Sequence, residues 1–147
     1  MAKSMPTTAE LLGTRQRILV TGGAGFIGGA VVRRLLRESD AVVFNLDKMG
    51  YASDLTSIEE VIKELGVEHQ QRHQLQAIDL CDADAVEKAV KQANPDLVMH
   101  LAAESHVDRS ISGPGVFIES NVTGTYNLLQ SCLLYTSPSP RDSASSR

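Results

Sequence analysis

The chain has 147 residues, of which 42% are hydrophobic and 22% are charged, a composition typical of a globular protein. This excludes a chain that is disordered throughout, a collagen and a coiled coil. The 14 basic residues against 18 acidic ones argue against nucleic acid as the main partner. No apolar run reaches the length of a membrane span. Cys81 and Cys132 are too few for a disulfide framework, so a reduced, cytoplasmic compartment and a single domain are expected.

The N-terminal segment, residues 1–16, has no apolar core of the kind a secretory signal needs. We expect it to be a floppy or loosely docked lead. After it, Ile18–Val20 is a short apolar run typical of a buried strand, and it ends in a Gly-rich turn. Apolar residues then recur at helical spacing from Ile27 to Leu35, which predicts a helix directly after the turn.

The alternation of strand and helix continues along the chain. Buried strands are predicted over Ala41–Leu46, Leu75–Leu80 and Leu97–Leu101, and helices over Leu55–Leu65 and Val86–Ala93. A last helix with apolar residues from Phe117 to Leu129 follows a polar loop that runs to Gly115. Start and stop signals accompany these helices: a capping box of Thr56 and Glu59, a stop at Gly66, a cap at Asp82 or Asp84, and Pro95.

Strands that are apolar on both faces and alternate with helices indicate a parallel sheet in an α/β fold. Right-handed crossovers and a Gly-rich first turn favour the doubly wound arrangement, with the strands in the spatial order 3-2-1-4. The predicted fold class is therefore a doubly wound α/β domain of the Rossmann type, truncated after about four strands.

The Gly-rich turn is Gly22-Gly23-Ala24-Gly25-Phe26-Ile27-Gly28, and it lies between the first strand and the first helix. It fits G-x-G-x-x-G from Gly23 or G-x-x-G-x-x-G from Gly22. Glycines at this point allow a tight turn and let the backbone approach a diphosphate, which the N–H groups and dipole of the helix attract. The alternative is an ordinary tight turn between a strand and a helix.

Asp47 ends the second strand, close to the offset from the turn at which an acid binds the ribose hydroxyls of a dinucleotide. Its charge would repel a 2′-phosphate, which favours NAD over NADP. Lys48 beside it could bind a phosphate instead, and a strand-end aspartate can also serve only to cap a turn. Asp79, after the third strand, could face the adenine edge, or could be an ordinary capping residue.

The loop after the fourth strand, residues 102–110, follows the carboxyl ends of the strands, where doubly wound sheets bind their ligands. Ala102 and Ala103 are small enough for a dinucleotide to lie against the backbone. Polar groups for a substrate are offered by Glu104, Ser105, His106, Asp108 and Arg109, although an exposed polar loop is the alternative. His69 and His73 lack a third ligand for a metal site, and Cys81 has the pattern of a structural thiol.

These motifs together resemble the extended short-chain dehydrogenase/reductase superfamily and, within it, the dTDP-glucose 4,6-dehydratase family. The resemblance is carried by Ile18–Gly28, Asn45–Lys48 with Tyr51 and Ala52, Asp79–Asp82, His100–Ile111, and Phe117–Asn121 with Gly124 and Thr125. The run from His100 is the most specific and favours a dehydratase over the sugar epimerases. The similarity extends from about Arg17 to about Ser131.

The resemblance implies an NAD site at particular positions. Together with the Gly-rich motif, it gives the candidate cofactor-binding residues Gly22, Gly25, Phe26, Ile27, Gly28, Asp47, Lys48, Met49, Gly50, Asp79, Leu80, Leu101, Ala102, Ala103, Glu104, Ser105 and Ser120. Ser105 is also implied to contact the sugar nucleotide. Gly50 replaces a Thr that is usual in the family, and Ser120 replaces a Thr but keeps its hydroxyl.

The implied reaction oxidises the hexose of dTDP-glucose at C4 by hydride transfer to NAD, removes water across C5 and C6, and returns the hydride to C6. The Asp-Glu and Tyr-Lys pairs of such lyases lie beyond a fifth strand, so we predict no catalytic residue in this chain. We expect an inactive cofactor-binding part of an enzyme that is a homodimer at full length. A non-catalytic NAD-binding module and a related epimerase or GDP-sugar dehydratase are the alternatives.

The composition changes near the C-terminus, since residues 136–147 include five Ser and two Pro, and Ala144 is their only apolar residue. This predicts a disordered segment. The run Cys132–Asp142 resembles a common sequencing-library adapter translated in one reading frame, and we interpret residues 132–147 as a foreign tail on a truncated domain of residues 17–131. We therefore expect exposed apolar surfaces and an aggregation-prone or partly molten chain.

Overall fold

The structure is a computed structural model that describes residues 4–103, 115 and 118–135. The helices are α1 (Thr8–Leu12), α2 (Phe26–Glu38), α3 (Thr56–Leu65), α4 (Ala83–Ala93) and α5 (Gly124–Tyr135). The strands are β1 (Arg17–Thr21), β2 (Val42–Leu46), β3 (His73–Gln76) and β4 (Leu97–His100). A 3₁₀ segment covers Val67–Arg72 and a π-helical turn covers Glu119–Thr123.

The four strands form one parallel sheet in the order β3-β2-β1-β4, so the predicted order is confirmed. In its register, Thr21 of β1 lies opposite Leu46 of β2 and His100 of β4. Because all strands run in the same direction, the segments that follow β1, β2 and β4 meet at one edge of the sheet. The predicted binding segments after these three strands therefore lie together.

The described residues form two compact units, one of residues 4–78 and 95–102 and the other of residues 79–94, 103, 115 and 118–135. The first unit contains the sheet, and its core joins strands to helices. Ile18 and Val43 of the central strands are fully buried and cluster with Val32 of α2 and Ile58 of α3. Burial of these branched apolar side chains contributes most of the free energy that holds the sheet against its helices.

The N-terminal lead is more ordered than we expected. Thr7 caps α1 in a capping box, in which its side chain accepts from the N–H of Glu10 and the Glu10 carboxylate accepts from the N–H of Thr7. Leu12 is 5% exposed and belongs to the core cluster of the first unit, and Thr8 hydrogen-bonds Glu38 of α2. Residues 8–12 thus form a helix and are not floppy, while a segment that docks through Leu12 and Thr8 is compatible with the alternative of loose docking.

Two local predictions in the first unit were wrong. The third strand covers His73–Gln76 and not Leu75–Leu80, since its pairing with β2 begins at His73 opposite Val43. Thr56 and Glu59 form no capping box because Thr56 is already inside α3, and Asp54 Oδ1 accepts from its N–H at 2.9 Å instead. The stop at Gly66 is confirmed: Gly66 has a φ of 113° and donates to the carbonyl of Ile62.

Arg72 binds carbonyl groups at the C-terminal end of α2 and in the turn that leads to β2. Its guanidinium donates to the carbonyl oxygens of Leu36 at 3.1 Å, Ser39 at 2.5 Å and Ala41 at 3.1 Å. The last carbonyls of a helix have no partner within the helix, so a side chain that supplies several donors stabilises the end. The turn from α2 to β2 is therefore held by the 3₁₀ segment.

In the second unit, α4 packs on α5. Asp82 caps α4 by accepting from the N–H of Ala85, which confirms one of the two predicted caps, and Asn94 ends the helix in a left-handed conformation. α5 continues past Ser131 to Tyr135, and it leaves several apolar side chains largely exposed, namely Tyr126, Leu129, Leu133 and Leu134. Within the described ranges, no helix is long and apolar enough to cross a membrane.

Candidate functional site

The Gly-rich turn connects β1 to α2 at the carboxyl edge of the sheet. Gly22 donates to the carbonyl of Leu46 at 2.8 Å and has a φ of 71°, a left-handed conformation that favours glycine. Gly25 donates to the carbonyl of Gly22 at 3.1 Å, which closes the turn. Gly25 then stands at the N-cap of α2, and no side chain of the described residues caps this end. The first N–H groups of α2 are thus available to an anion.

The Gly-rich turn is packed so closely that a side chain at either of two of its glycines would clash with neighbouring backbone. A Cβ at Gly22 would lie 2.7 Å from the Cα of Ala102, and a Cβ at Gly28 would lie 2.0 Å from the carbonyl oxygen of Gly22. Both distances are far below van der Waals contact. The two glycines therefore let the backbone of the turn pack directly on the start of α2 and on the residues after β4, and this closely packed glycine backbone is here called the cradle.

Asp47 lies directly beside this cradle and is 8% exposed. Its Oδ2 accepts from the N–H of Ala24 at 3.1 Å, and its Oδ1 accepts from the N–H of Met49 at 2.8 Å and from the Ser53 hydroxyl at 2.9 Å. The carboxylate thereby ties the Gly-rich turn to the loop after β2. Asp47 can hold the turn and also bind a ligand, since a carboxylate offers about four acceptor positions.

The residues that follow Asp47 lie on the surface. Lys48, Met49 and Gly50 are exposed, and Met49 has a φ of 58°, which turns the chain away from the strand. At the start of α2, Phe26 is 96% exposed and Ile27 is 66% exposed. Large apolar side chains this exposed beside an open helix terminus favour a binding surface.

Thr21, which the sequence analysis did not single out, organises the opposite wall of the cradle. Its buried hydroxyl accepts from the N–H of Leu101 at 3.0 Å and of Ala102 at 3.1 Å, and it lies 2.6 Å from Nδ1 of His100. Since the oxygen accepts from two backbone groups, its proton is directed to the imidazole. Burial lowers the pKa of His100, which keeps the ring neutral and able to accept. A threonine at a strand end gives no signal in sequence.

The second unit contains the next group of predicted site residues. Asp79 is exposed, and its Oδ1 accepts from the N–H of Cys81 at 2.9 Å. Leu80 is 9% exposed, and its carbonyl accepts from Nδ2 of Asn127 on α5 at 2.8 Å. Asp79 therefore has the local turn contact of an ordinary capping residue, whereas the contact at Leu80 fastens this segment to α5.

Several of the predicted site residues lie at the end of a described range or outside the described residues. Leu101 and Ala102 end the first unit beside Thr21, and Ala103 belongs to the second. Glu104 and Ser105, with His106, Asp108 and Arg109 of the polar loop, lie outside the described residues. The backbone of Ser120 lies in the π-helical turn Glu119–Thr123.

The histidines considered for a metal site have other partners. Nδ1 of His69 lies 3.0 Å from Nη1 of Arg72, and Nε2 of His73 lies 3.1 Å from Nδ2 of Asn45. Among the described residues, no group of three or more His, Cys, Asp or Glu could hold a metal ion. Cys81 and Cys132 form no disulfide, and burial raises the pKa of Cys132.

Comparison with known proteins supplies the family. A family model described as GDP-mannose 4,6 dehydratase matches residues 19–144. The chain belongs to this family. Two similar relatives are the dTDP-glucose 4,6-dehydratase of Shigella flexneri, 50% identical over 82% of this chain and 32% of the relative, and dTDP-glucose 4,6-dehydratase 1 of Escherichia coli K12, 47% identical over 88% and 34%. The chain thus spans about a third of the length of these curated relatives.

Solved structures agree with this assignment. DesIV, the dTDP-glucose 4,6-dehydratase of Streptomyces venezuelae solved with NAD and TYD bound, is 38% identical with a TM-score of 0.70, over 82% of this chain and 36% of that one. The UDP-glucose 4-epimerase of Thermus thermophilus in complex with NAD is 33% identical with a TM-score of 0.65, over 82% and 34%. The predicted Rossmann-type fold and the resemblance to the extended dehydrogenase/reductase superfamily are confirmed.

Proposed function

We propose that this chain is the NAD-binding part of a dTDP-glucose 4,6-dehydratase. The observation that carries the proposal is the glycine turn at the carboxyl edge of the sheet, which leads through Gly25 into a start of α2 that no side chain of the described residues caps. Glycine backbone beside an uncapped helix start fits a diphosphate, which needs close N–H donors and positive potential. The residues present therefore fit the cofactor that the family resemblance implies.

In this proposal the glycines admit the diphosphate and α2 holds it. Gly22, Gly25 and Gly28 leave the approach free of side chains, and the open N–H groups at the start of α2 donate to the phosphate oxygens. The partial positive charge of the helix terminus adds about 0.3–1 kcal/mol for an exposed anion. Phe26 and Ile27 cover apolar parts of the cofactor from the same helix turn.

Asp47 would bind the adenosine ribose. Three of its roughly four acceptor positions are taken by Ala24, Met49 and Ser53, which leaves one for a ribose hydroxyl. The same bonds hold the carboxylate in place before the cofactor arrives, so little side-chain entropy is lost on binding. Its negative charge disfavours a 2′-phosphate, and NAD is therefore proposed over NADP despite the neighbouring Lys48.

The remaining contacts are assigned by the family resemblance. They are Lys48, Met49, Gly50, Asp79, Leu80, Leu101, Ala102, Ala103, Glu104, Ser105 and Ser120 for the cofactor, with Ser105 also contacting the sugar nucleotide. Thr21 would act through its bonds to Leu101 and Ala102, which fix the backbone that the cofactor lies against. None of the described residues is assigned as catalytic.

Bound NAD would supply the hydride acceptor and donor for oxidation of the hexose at C4 and reduction at C6. The residues of this chain would bind that cofactor, orient it over the sheet edge and present it to dTDP-glucose. The choice of a dehydratase over an epimerase is supported by identity: 50% with the Shigella flexneri dehydratase against 33% with the Thermus thermophilus epimerase. A cytoplasmic location and a homodimer at full length belong to the same proposal, which does not involve nucleic acid.

Titration of the purified chain with NADH and NADPH, followed by the fluorescence of the dihydronicotinamide, tests this function. We expect saturable NADH binding, weaker NADPH binding and no conversion of dTDP-glucose. The matched control is Gly28→Ala, which places a methyl group against the carbonyl of Gly22 and should abolish binding. A folded chain that binds neither nucleotide would refute the proposal, and tighter binding of NADPH would assign Lys48 the dominant role.

A further inference from the structure

Asn45 is a polar residue one position before the end of β2, and its side chain is fully buried. Its Nδ2 lies 3.1 Å from Nε2 of His73 on the neighbouring strand, so the amide donates and the imidazole accepts. Burial lowers the pKa of His73, against an opposing effect of Glu59, and this keeps Nε2 free to accept. Among the described residues, Oδ1 of Asn45 has no hydrogen-bond partner. Buried amides normally satisfy both ends, so this carboxamide needs a further explanation.

The carboxamide of Asn45 lies against Gly23 of the Gly-rich turn. A Cβ at Gly23 would lie 2.2 Å from Oδ1, 2.5 Å from Cγ and 2.8 Å from Nδ2 of Asn45. The carboxamide of Asn45 therefore occupies the volume that any side chain at position 23 would need. Gly23 does not share the positive φ of Gly22, so it is required here for space and not for backbone conformation.

We propose that Asn45 is a positioning residue for the cofactor turn, acting through Gly23. Its carboxamide, oriented by His73, forms the surface on which Gly23 rests, and this sets how closely the turn approaches β2. The depth of the turn in turn fixes where Gly22, Gly25 and the start of α2 meet the diphosphate. Asn45 itself contacts no cofactor. The inference rests on the proposed NAD site.

The steric part is tested with Gly23→Ala, Asn45→Ala and the double variant. In the native background, Gly23→Ala should weaken NADH binding at least about tenfold, or ~1.4 kcal/mol, and lower the melting temperature. In the Asn45→Ala background the same change should cost less than about twofold, because the methyl group then enters vacated space. The matched control is Gly28→Ala, whose clash is with backbone and which Asn45→Ala should not relieve.

The positioning part is tested with Asn45→Ala alone, which should weaken NADH binding about threefold to tenfold in a chain that still melts cooperatively. A lower melting temperature with unchanged NADH affinity would overturn the proposal, since Asn45 would then be structural only. An equal penalty for Gly23→Ala in both backgrounds would overturn it as well. If Gly23→Ala fails to fold, recovery of folding in the double variant is the rescue expected.

Failure of the proposed function gives a different pattern. A native chain that does not bind NADH, together with relief of the Gly23→Ala melting penalty by Asn45→Ala, would refute the NAD site and with it the positioning role, while the steric coupling would stand. Binding of NADH without any such relief would leave the NAD site intact and refute the role of Asn45.

Discussion

Two aspartates that follow strands look alike in the sequence but have different environments. Asp47, after β2, is 8% exposed and accepts from Ala24, Met49 and Ser53. Asp79, after β3, is exposed and accepts from the N–H of Cys81 in its own turn. The first connects two loops that are distant in sequence, whereas the second closes only a local turn. A strand-end carboxylate thus becomes part of a larger site where another loop reaches it.

The largest difference between the two aspartates should appear on truncation. Asp47→Ala leaves the buried N–H of Ala24 without its acceptor and removes bonds to Met49 and Ser53. We expect the free energy of unfolding to fall by about 3 kcal/mol and NADH affinity to fall more than about tenfold. Urea unfolding and NADH titration measure both effects. If the losses of unfolding free energy and NADH affinity are no greater than those of Asp79→Ala, the two aspartates do not differ in role.

The charge of Asp47 can be separated from its hydrogen bonds. Asp47→Asn keeps one acceptor oxygen but loses the repulsion of a 2′-phosphate, so the preference for NADH over NADPH should shrink about tenfold, or ~1.4 kcal/mol. Parallel titrations with the two nucleotides give the ratio, and Asp79→Asn is the control in which it should stay unchanged. An unaltered ratio in Asp47→Asn would show that the carboxylate charge does not select the cofactor.

Asp79→Ala should have a smaller effect. Loss of one exposed turn contact with the N–H of Cys81 is expected to cost about 0.5–1 kcal/mol of unfolding free energy and about threefold in NADH affinity. Chemical denaturation and the same nucleotide titration apply. A loss of affinity as large as that of Asp47→Ala would instead make Asp79 a principal cofactor ligand.

The smallest expected effect is a dependence of stability on pH. It arises from His100 at the end of a third strand, β4. Burial lowers the pKa of His100, so the unfolded chain binds the proton more readily than the folded one. Unfolding free energy should therefore be full above about pH 6.5 and decrease as the pH drops toward the folded pKa. Urea unfolding across this range should show a shallower slope for His100→Gln. His73→Gln should make the slope shallower as well, since burial also lowers the pKa of His73; a slope unchanged by either substitution would contradict the prediction.

The parts of the fold that were predicted correctly are those whose signal is local. β1 and β2 are apolar runs buried on both faces, and their extents agree closely with Ile18–Val20 and Ala41–Leu46. The Gly-rich turn and the Asp82 cap depend on residue types that few other conformations favour. β3 was misplaced because its first residues, His73 and Gln74, are polar and are set in the sheet by pairing with β2 and not by their own pattern.

The missed features depend on contacts between distant positions. Thr21 bonds the backbone of Leu101 and Ala102, and Asn45 fills the space beside Gly23, so neither role is visible until the strands are aligned. Helix α1 was missed because five residues carry little periodicity, and the burial of Leu12 depends on residues of α2 and β2 in the same core cluster. Sequence motifs identified the groups that would touch a ligand but not the groups that hold them.

The guanidinium of Arg72 has a consequence for local unfolding. It binds the carbonyls of Leu36, Ser39 and Ala41, so the far end of the helix that begins at the cradle is fastened by a segment that comes after β2. If the 3₁₀ segment opens, the carbonyls at the end of α2 lose their donor and the entry into β2 loosens at the same time. The amide hydrogens at the end of α2 and in Val67–Arg72 should therefore exchange with solvent as one cooperative group.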